Sequence, residues 1–304
     1  MDDVALVIGL TSLFAATVNG ALGYGYSSIT VPISLLVVAS RVLNPALVIV
    51  EVVVNLSVLA IARRSIGSSL GPSSGRSIGP SIGRVWPQVT PVAVGILPGV
   101  VAGSFILASI SADWAKLVTY AALLPLILVQ AAGLRLPIRR IRAVGVSFGG
   151  GVGLLYSLTT ISGPPLALYF NNQGMAKDEF RVALALTRSI ESTTTLIAYA
   201  ALGMITTESA AFVPVLAPGV LLGLPLGFYA IRRLRPETFR RVCTSFDAWL
   251  VGFGLSRVVA RLELVPVVWA YQLLVLTIVI DVILLRTFFR SRASTVIPAQ
   301  LSSA

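Results

Sequence analysis

Histidine is absent from this chain of 304 residues. Its absence excludes Ser-His-Asp catalysis, His-ligated haem and His-based zinc sites together. The single cysteine, Cys243, excludes an intrachain disulfide framework and a cysteine-held iron–sulfur cluster. Charge is scarce: 12% of residues are Asp, Glu, Lys or Arg, against about 25% in a soluble domain. Lysine occurs only at 116 and 177, so 21 of the 23 basic residues are arginine. In place of charge the chain is 56% apolar, with a mean hydropathy of +0.91. A soluble core of this composition would leave large apolar areas in water, and a chain this apolar does not stay disordered. Its length suffices for roughly ten membrane crossings. A net charge of +11 and a pI near 10.6 would ordinarily suggest nucleic acid. Here the arginines lie in short loops between apolar runs, the positive-inside pattern. The expected medium is therefore the lipid bilayer, with no nucleic-acid partner.

Apolar segments fall at about 4–22, 24–40, 44–62, 88–109, 114–132, 142–161, 164–176, 180–202, 209–231, 238–258 and 266–285. About 20 helical residues cross a ~30 Å hydrocarbon core. Segments 24–40 and 164–176 are marginal or short for that. Basic clusters set the sidedness: Arg63, Arg64, Arg76 and Arg84; Arg135, Arg139, Arg140 and Arg142; Arg232, Arg233, Arg235, Arg240 and Arg241; and Arg286, Arg290 and Arg292. All four are cytoplasmic only if 4–40 enters and returns on the outside and 142–176 on the inside. The N-terminus is then outside and the C-terminus cytoplasmic, as in a multi-pass protein of a cell (inner) membrane. Arg257 and Arg261 depart from the rule, with Glu263 as the expected partner. The opening Met1-Asp2-Asp3 has no basic n-region, so no cleaved signal peptide is expected. Segment 63–87, with glycines every fourth residue among Ser, Pro and Arg, reads as a flexible cytoplasmic linker.

Internal similarity organises these segments. Pro98-Gly99-Val100-Val101-Ala102-Gly103 matches Pro218-Gly219-Val220-Leu221-Leu222-Gly223 at an offset of 120 residues. Gly23-Tyr24-Gly25 stands opposite Ile161-Ser162-Gly163 at an offset of 138. The offsets differ by about the length of 63–87, which only the first half carries. Each half reads as a broken hairpin followed by three spans. An odd number of segments per half makes the repeat inverted, as in many secondary transporters. The expected organisation is repeat 1 over 1–132, repeat 2 over 142–258, an extra span at 266–285 and a cytoplasmic tail over 286–304.

Two interruptions fall at membrane depth. Asn19-Gly20-Ala21-Leu22-Gly23-Tyr24-Gly25-Tyr26-Ser27-Ser28 concentrates glycine where a helix would continue. Thr159-Thr160-Ile161-Ser162-Gly163-Pro164-Pro165 does so with a proline pair suited to a helix start. A half-helix start offers free N–H groups and the positive end of a dipole to an anion. Such breaks are tolerated where they line a cavity or are buried in protein. The candidate ligands are Asn19, Gly23, Gly25, Ser27 and Ser28 in the first break and Thr160, Ser162 and Gly163 in the second. Tyr24, Tyr26, Tyr156 and Tyr169 lie nearby as packing residues or hydrogen-bond donors.

Ionisable residues inside spans cost about 2.5–3.5 kcal/mol at the bilayer centre and face cavities or partners. Glu51 lies in 44–62, and Arg188 and Glu191 lie in the equivalent span of the other half. The guanidinium fork of Arg188 fits a carboxylate or a sulfur or phosphorus oxyanion. Glu191, three residues on, or Glu51 would neutralise Arg188 without substrate. Asn55, one turn after Glu51, lines the same region. Glu51, Glu191 and Asp247 are coupling candidates, since a carboxyl group in low dielectric can carry a proton. Asp281 is expected to pair with Arg286 or to reach the interface.

The chain resembles the TauE/SafE sulfite-exporter family of membrane transporters. The first copy of the resemblance is Gly20-Ala21-Leu22-Gly23-Tyr24-Gly25 with Pro32, then Asn44-Pro45-Ala46. The second runs from Gly149-Gly150-Gly151-Val152-Gly153 through Ser162-Gly163-Pro164-Pro165. Together they cover most of 1–260, with Tyr24 departing from the usual glycine run. The resemblance implies transport of sulfite, thiosulfate, sulfoacetate or another organosulfonate. A cysteine relay for thiosulfate, implied for some members, is poorly served by Cys243 alone.

The resulting expectation is an all-α, polytopic membrane protein and a secondary transporter of a small sulfur-containing anion, working by alternating access with possible coupling to protons. A carrier or channel for a small carboxylate or other anion is the alternative, and a non-transporting scaffold a further one. An intramembrane enzyme would need an Asp247–Asp281 dyad, because Ser-His chemistry is excluded. No cofactor and no metal are expected, and nothing in the sequence fixes an oligomeric state.

Overall fold

The computed structural model describes residues 2–68, 78–132, 141–171, 173, 175, 177–230 and 236–296. Among these there are twelve α-helices and no strand. They are α1 Asp2–Leu22, α2 Tyr26–Ser34, α3 Ser40–Ser68, α4 Ile78–Ser109, α5 Ala112–Ala132, α6 Ile141–Thr159, α7 Gly163–Asn171, α8 Lys177–Ala201, α9 Thr207–Ala230, α10 Pro236–Arg261, α11 Val267–Ala270 and α12 Gln272–Val296. Ten of the eleven apolar segments hold one helix each, the last holds α11 and the start of α12, and the two short segments hold the half-length helices α2 and α7. The protein is all-α and polytopic. Seven helices, α1, α3, α4, α5, α9, α10 and α12, are long and apolar enough to cross a bilayer. The apolar stretch of α6, Val144–Thr159, is shorter. At ~1.5 Å per residue α8 has the length to cross, but it carries Arg188 and Glu191 at its centre. Protein surrounds that part of α8: Ala183, Leu184, Thr187, Arg188, Glu191, Ser192 and Thr195 are all buried. Its polar load therefore faces neighbouring helices.

The linker expected at 63–87 is shorter than its composition suggests. Helix α3 runs on to Ser68 and α4 begins at Ile78. A helix already nucleated in a long span adds a hydrogen bond with each residue, and this outweighs the weak propensities of Gly and Ser. Likewise α12 continues beyond 285 to Val296, and a separate turn of helix, α11, precedes it. Arg76, Arg135, Arg139, Arg140, Arg232, Arg233 and Arg235 lie outside the described residues.

Packing follows a reciprocal scheme. Helix α4 lies along α6, and α1 lies along α9. Helix α4 also meets α8, and α3 meets α9. Helix α3 crosses α8, and α5 crosses α10. Exchanging α1–α5 for α6–α10 maps each pairing onto another or onto itself. The matched segments 98–103 and 218–223 occupy the close contacts of this scheme. A Cβ added at Gly99 would stand 2.1 Å from Gly150 O, and one at Gly223 would stand 2.6 Å from Leu13 O. Backbones that approach this closely require glycine, the small-residue packing of membrane helices. Helix α12 lies outside the scheme, against α10. Its anchor is buried: Arg241 Nη2 donates to Asp281 Oδ1 at 2.8 Å, and Trp249 Nε1 donates to Oδ2 at 3.1 Å. Asp281 is fully buried here and reaches neither the interface nor Arg286 as its partner.

Candidate functional site

Both expected breaks are present. Helix α1 ends at Leu22, and Gly23 (φ 83°) and Gly25 (φ 111°) turn the chain into α2. Helix α6 ends at Thr159, and Thr160 (φ 56°) turns it toward α7. The left-handed region at Gly23 and Gly25 suits only glycine cheaply. The breaks meet: a Cβ on Gly163 would stand 3.2 Å from Tyr24 Cβ, so the side chain of one break lies against the backbone of the other.

The carbonyls freed where helices stop are satisfied within the protein, as membrane depth requires. Asn44 Nδ2 of α3 donates to Leu158 O at 2.7 Å. Tyr199 of α8 donates to Ser157 O. Gly23 N returns to Asn19 O at 2.7 Å. The far end of α2 is clamped by Tyr120 OH on Pro32 O at 3.0 Å and by Lys116 Nζ on Leu35 O at 2.6 Å. Arg257 also reaches toward this end, donating to Leu36 O at 3.4 Å. Arg261 pairs with Asp113 at 3.5 Å, so the expected partner Glu263 is replaced by a residue of α5.

A buried charged cluster lies between the breaks. Arg188 Nη2 donates to Glu51 Oε1 at 2.8 Å, with the two side chains 2% and 0% exposed. Ser27, in the first turn of α2, donates to the same oxygen. Tyr156 OH of α6 donates to Glu51 Oε2 at 2.5 Å. Glu51 thus has three donors, from α2, α6 and α8. Glu191 is held differently: Ser162 donates to its Oε2, and its Oε1 has no hydrogen-bond partner. The intrahelical Arg188–Glu191 pair therefore gives way to a pair across α3 and α8, because Ser162 claims Glu191. Nε and Nη1 of Arg188 also lack partners. For a group with five fixed N–H donors this is an unusual burial.

The remaining candidates divide. Asn55 Nδ2 reaches Arg188 O and Ser192 Oγ, both at 3.4 Å, and so bridges α3 to α8. Asn19 is buried at the end of α1, with both amide side-chain atoms unpartnered. Ser28 is buried in the first turn of α2. The hydroxyl of Thr160 is engaged locally, donating to Thr159 O at 2.7 Å. Asp247 is buried in α10 with Oδ1 unpartnered. Among the described residues no hydrogen bond or ion pair joins it to the cluster. The carboxylate oxygens of Asp281 accept from Arg241 and Trp249, and among the described residues no hydrogen bond joins Asp281 to Asp247. Tyr26 pairs with Ser12 at 2.9 Å, and Tyr169 stacks on Phe148. Asn44, Tyr199 and the buried, unpartnered Thr195 were missed as site-forming residues. Thr195 was legible, since Arg188, Glu191, Ser192 and Thr195 recur at three- and four-residue spacing on one helix face.

Paired helix breaks, a buried cation with spare donors and seven apolar spans define a polytopic α-helical membrane protein with a charged centre. The chain belongs to the sulfite exporter TauE/SafE family, whose model matches residues 8–253. It is similar to a probable sulfite/organosulfonate exporter TauE of Cupriavidus necator, at 32% identity over 170 residues. That match covers 54% of this chain and 64% of the relative. No solved structure matches the chain.

Proposed function

We propose that this protein is a secondary transporter that carries sulfite or a small organosulfonate such as sulfoacetate across a cell (inner) membrane. The observation that carries the reading is Arg188, buried between two helix breaks with two of its three nitrogens unpartnered. A pyramidal sulfur oxyanion accepts from such a fork in bidentate fashion. Family membership and the relative's name support a sulfur-containing anion and export. The reciprocal packing of α1–α5 and α6–α10 supports two inverted halves, repeat 1 over 1–132 and repeat 2 over 142–258. The N-terminus then lies outside and the tail in the cytoplasm. Rocking of one half against the other alternates access to the shared centre.

Glu51 is the resting counter-ion of Arg188, and an arriving anion competes with it. Two carboxylates beside one guanidinium leave a place for a proton on the path, so Glu191, which has one hydroxyl donor and is not the carboxylate ion-paired with Arg188, is the coupling residue. Uptake of labelled sulfite and sulfoacetate into proteoliposomes, with and without a pH gradient, tests both parts. Wild type gives saturable flux, and Arg188→Ala abolishes it. Glu191→Gln keeps flux down the anion gradient but loses its response to the pH gradient. Undiminished saturable flux in Arg188→Ala removes Arg188 from the site. A wild type that moves a carboxylate panel but neither sulfur anion removes the substrate assignment.

A further inference from the structure

The two helix starts that meet at the centre are not equivalent donors. The first inward backbone bond of α2 runs from Ile29 N to Gly25 O at 3.3 Å, and no side chain caps the helix. The amides of Tyr26, Ser27 and Ser28 precede that bond, so the first turn of α2 presents three N–H groups. The first bond of α7 runs from Leu166 N to Ser162 O at 3.0 Å. The residues preceding it are Gly163, Pro164 and Pro165, and proline has no N–H. The first turn of α7 therefore presents one. Both starts carry a positive dipole end, but only α2 offers the directed donors that hold an oxyanion.

The carboxylates beside the two starts are also held unequally, although each start gives its carboxylate one serine hydroxyl. Glu51, beside the start of α2, receives Ser27, Tyr156 and Arg188. Glu191, beside the start of α7, receives Ser162 alone and keeps Oε1 unpartnered. Arg188 adds the second requirement. It is 2% exposed, its Nε and Nη1 have no partner, and it is linked to the α2 start through the oxygen it shares with Ser27. Tyr26, held by Ser12, and the clamp of Tyr120 and Lys116 on the far end keep α2 fixed while it does this.

We infer that the transported anion is received asymmetrically, on the first-turn amides of α2 together with Arg188, whereas α7 is a proline-blocked start that shapes the cavity without binding the anion. Ser28 and Pro165 hold the same third position of their helices. The inference rests on the transporter reading and sharpens it.

Exchanging those two residues tests it. Labelled sulfite flux is measured in proteoliposomes for wild type, Ser28→Ala, Ser28→Pro and Pro165→Ala, with the folded fraction checked by size-exclusion chromatography. Ser28→Pro removes one amide of α2 and copies an arrangement that α7 already tolerates. Ser28→Ala controls for the hydroxyl. Ser28→Pro is expected to raise KM for sulfite about tenfold or more over Ser28→Ala, the loss of about 1.4 kcal/mol of anion binding. Pro165→Ala, which adds an amide to α7, is expected to leave KM within about twofold of wild type, no more than about 0.4 kcal/mol. Equal KM values for Ser28→Pro and Ser28→Ala would overturn the assignment, as would a several-fold fall in KM for Pro165→Ala. If Ser28→Pro does not fold, Pro165→Ala decides by itself: unchanged KM supports the assignment and lowered KM overturns it. Absence of sulfite flux in folded wild-type protein would instead strike the transporter reading.

Discussion

Removing either member of the Arg188–Glu51 pair should destabilise the protein by unequal amounts, and the geometry says which is worse. Glu51→Gln leaves the Arg188 guanidinium, 2% exposed, without its ion-paired carboxylate, while its Nε and Nη1 already have no partner. Arginine cannot shed its proton, so the loss is the full cost of an unpaired buried charge, about 3–5 kcal/mol. Arg188→Gln leaves a carboxylate that still accepts from Ser27 and Tyr156, and these two retained donors offset part of the cost of losing the cation. Glu51→Gln should therefore be the costlier single change. The double variant, with two neutral amides, should be more stable than Glu51→Gln alone. Unfolding in mixed micelles at rising SDS fraction, followed by tryptophan fluorescence, measures all three. A cheaper Glu51→Gln, or a double variant whose loss is the sum of the single losses, would refute the reasoning.

Close glycine packing makes a second contrast. A Cβ at Gly99 meets the Gly150 carbonyl oxygen at 2.1 Å, whereas one at Gly151 meets nothing within 4 Å. Gly99→Ala should thus cost about 1–3 kcal/mol through forced separation of α4 from α6, and Gly151→Ala should stabilise by up to about 1 kcal/mol through helix propensity; the same unfolding assay compares them. Asp281→Asn removes the counter-ion of Arg241, which is 4% exposed, and should cost about 3 kcal/mol. Its folded fraction should still carry sulfite in proteoliposomes with unchanged KM, because the α10–α12 anchor shares no atom with the Arg188 cluster. A raised KM would show that α12 acts on the site.

Composition and pattern alone determined the class, the segment positions and the candidate centre of this protein. Long apolar runs with few charges admit few solutions besides membrane helices, because unpaired backbone is too costly in lipid. Glycine and proline clusters in mid-run marked both breaks for a local reason: the backbone conformations they adopt are closed to other residues or deprive a helix of donors. Arg188, Glu51 and Glu191 stood out because ionised groups are rare at that depth. Partner choice, in contrast, was decided only by tertiary structure. Arg188 chose Glu51 of α3 over Glu191 on its own helix, and Asp281 chose Arg241 over Arg286, because distant helices bring those groups together while nearer candidates are engaged elsewhere or face away. Side-chain spacing along one helix ranks local partners, but it carries no information on which face meets another span. The glycine matches at 98–103 and 218–223 hinted at that contact, and the paired helices α4–α6 and α1–α9 supply its physical reason: backbones a few ångströms apart leave no room for a Cβ.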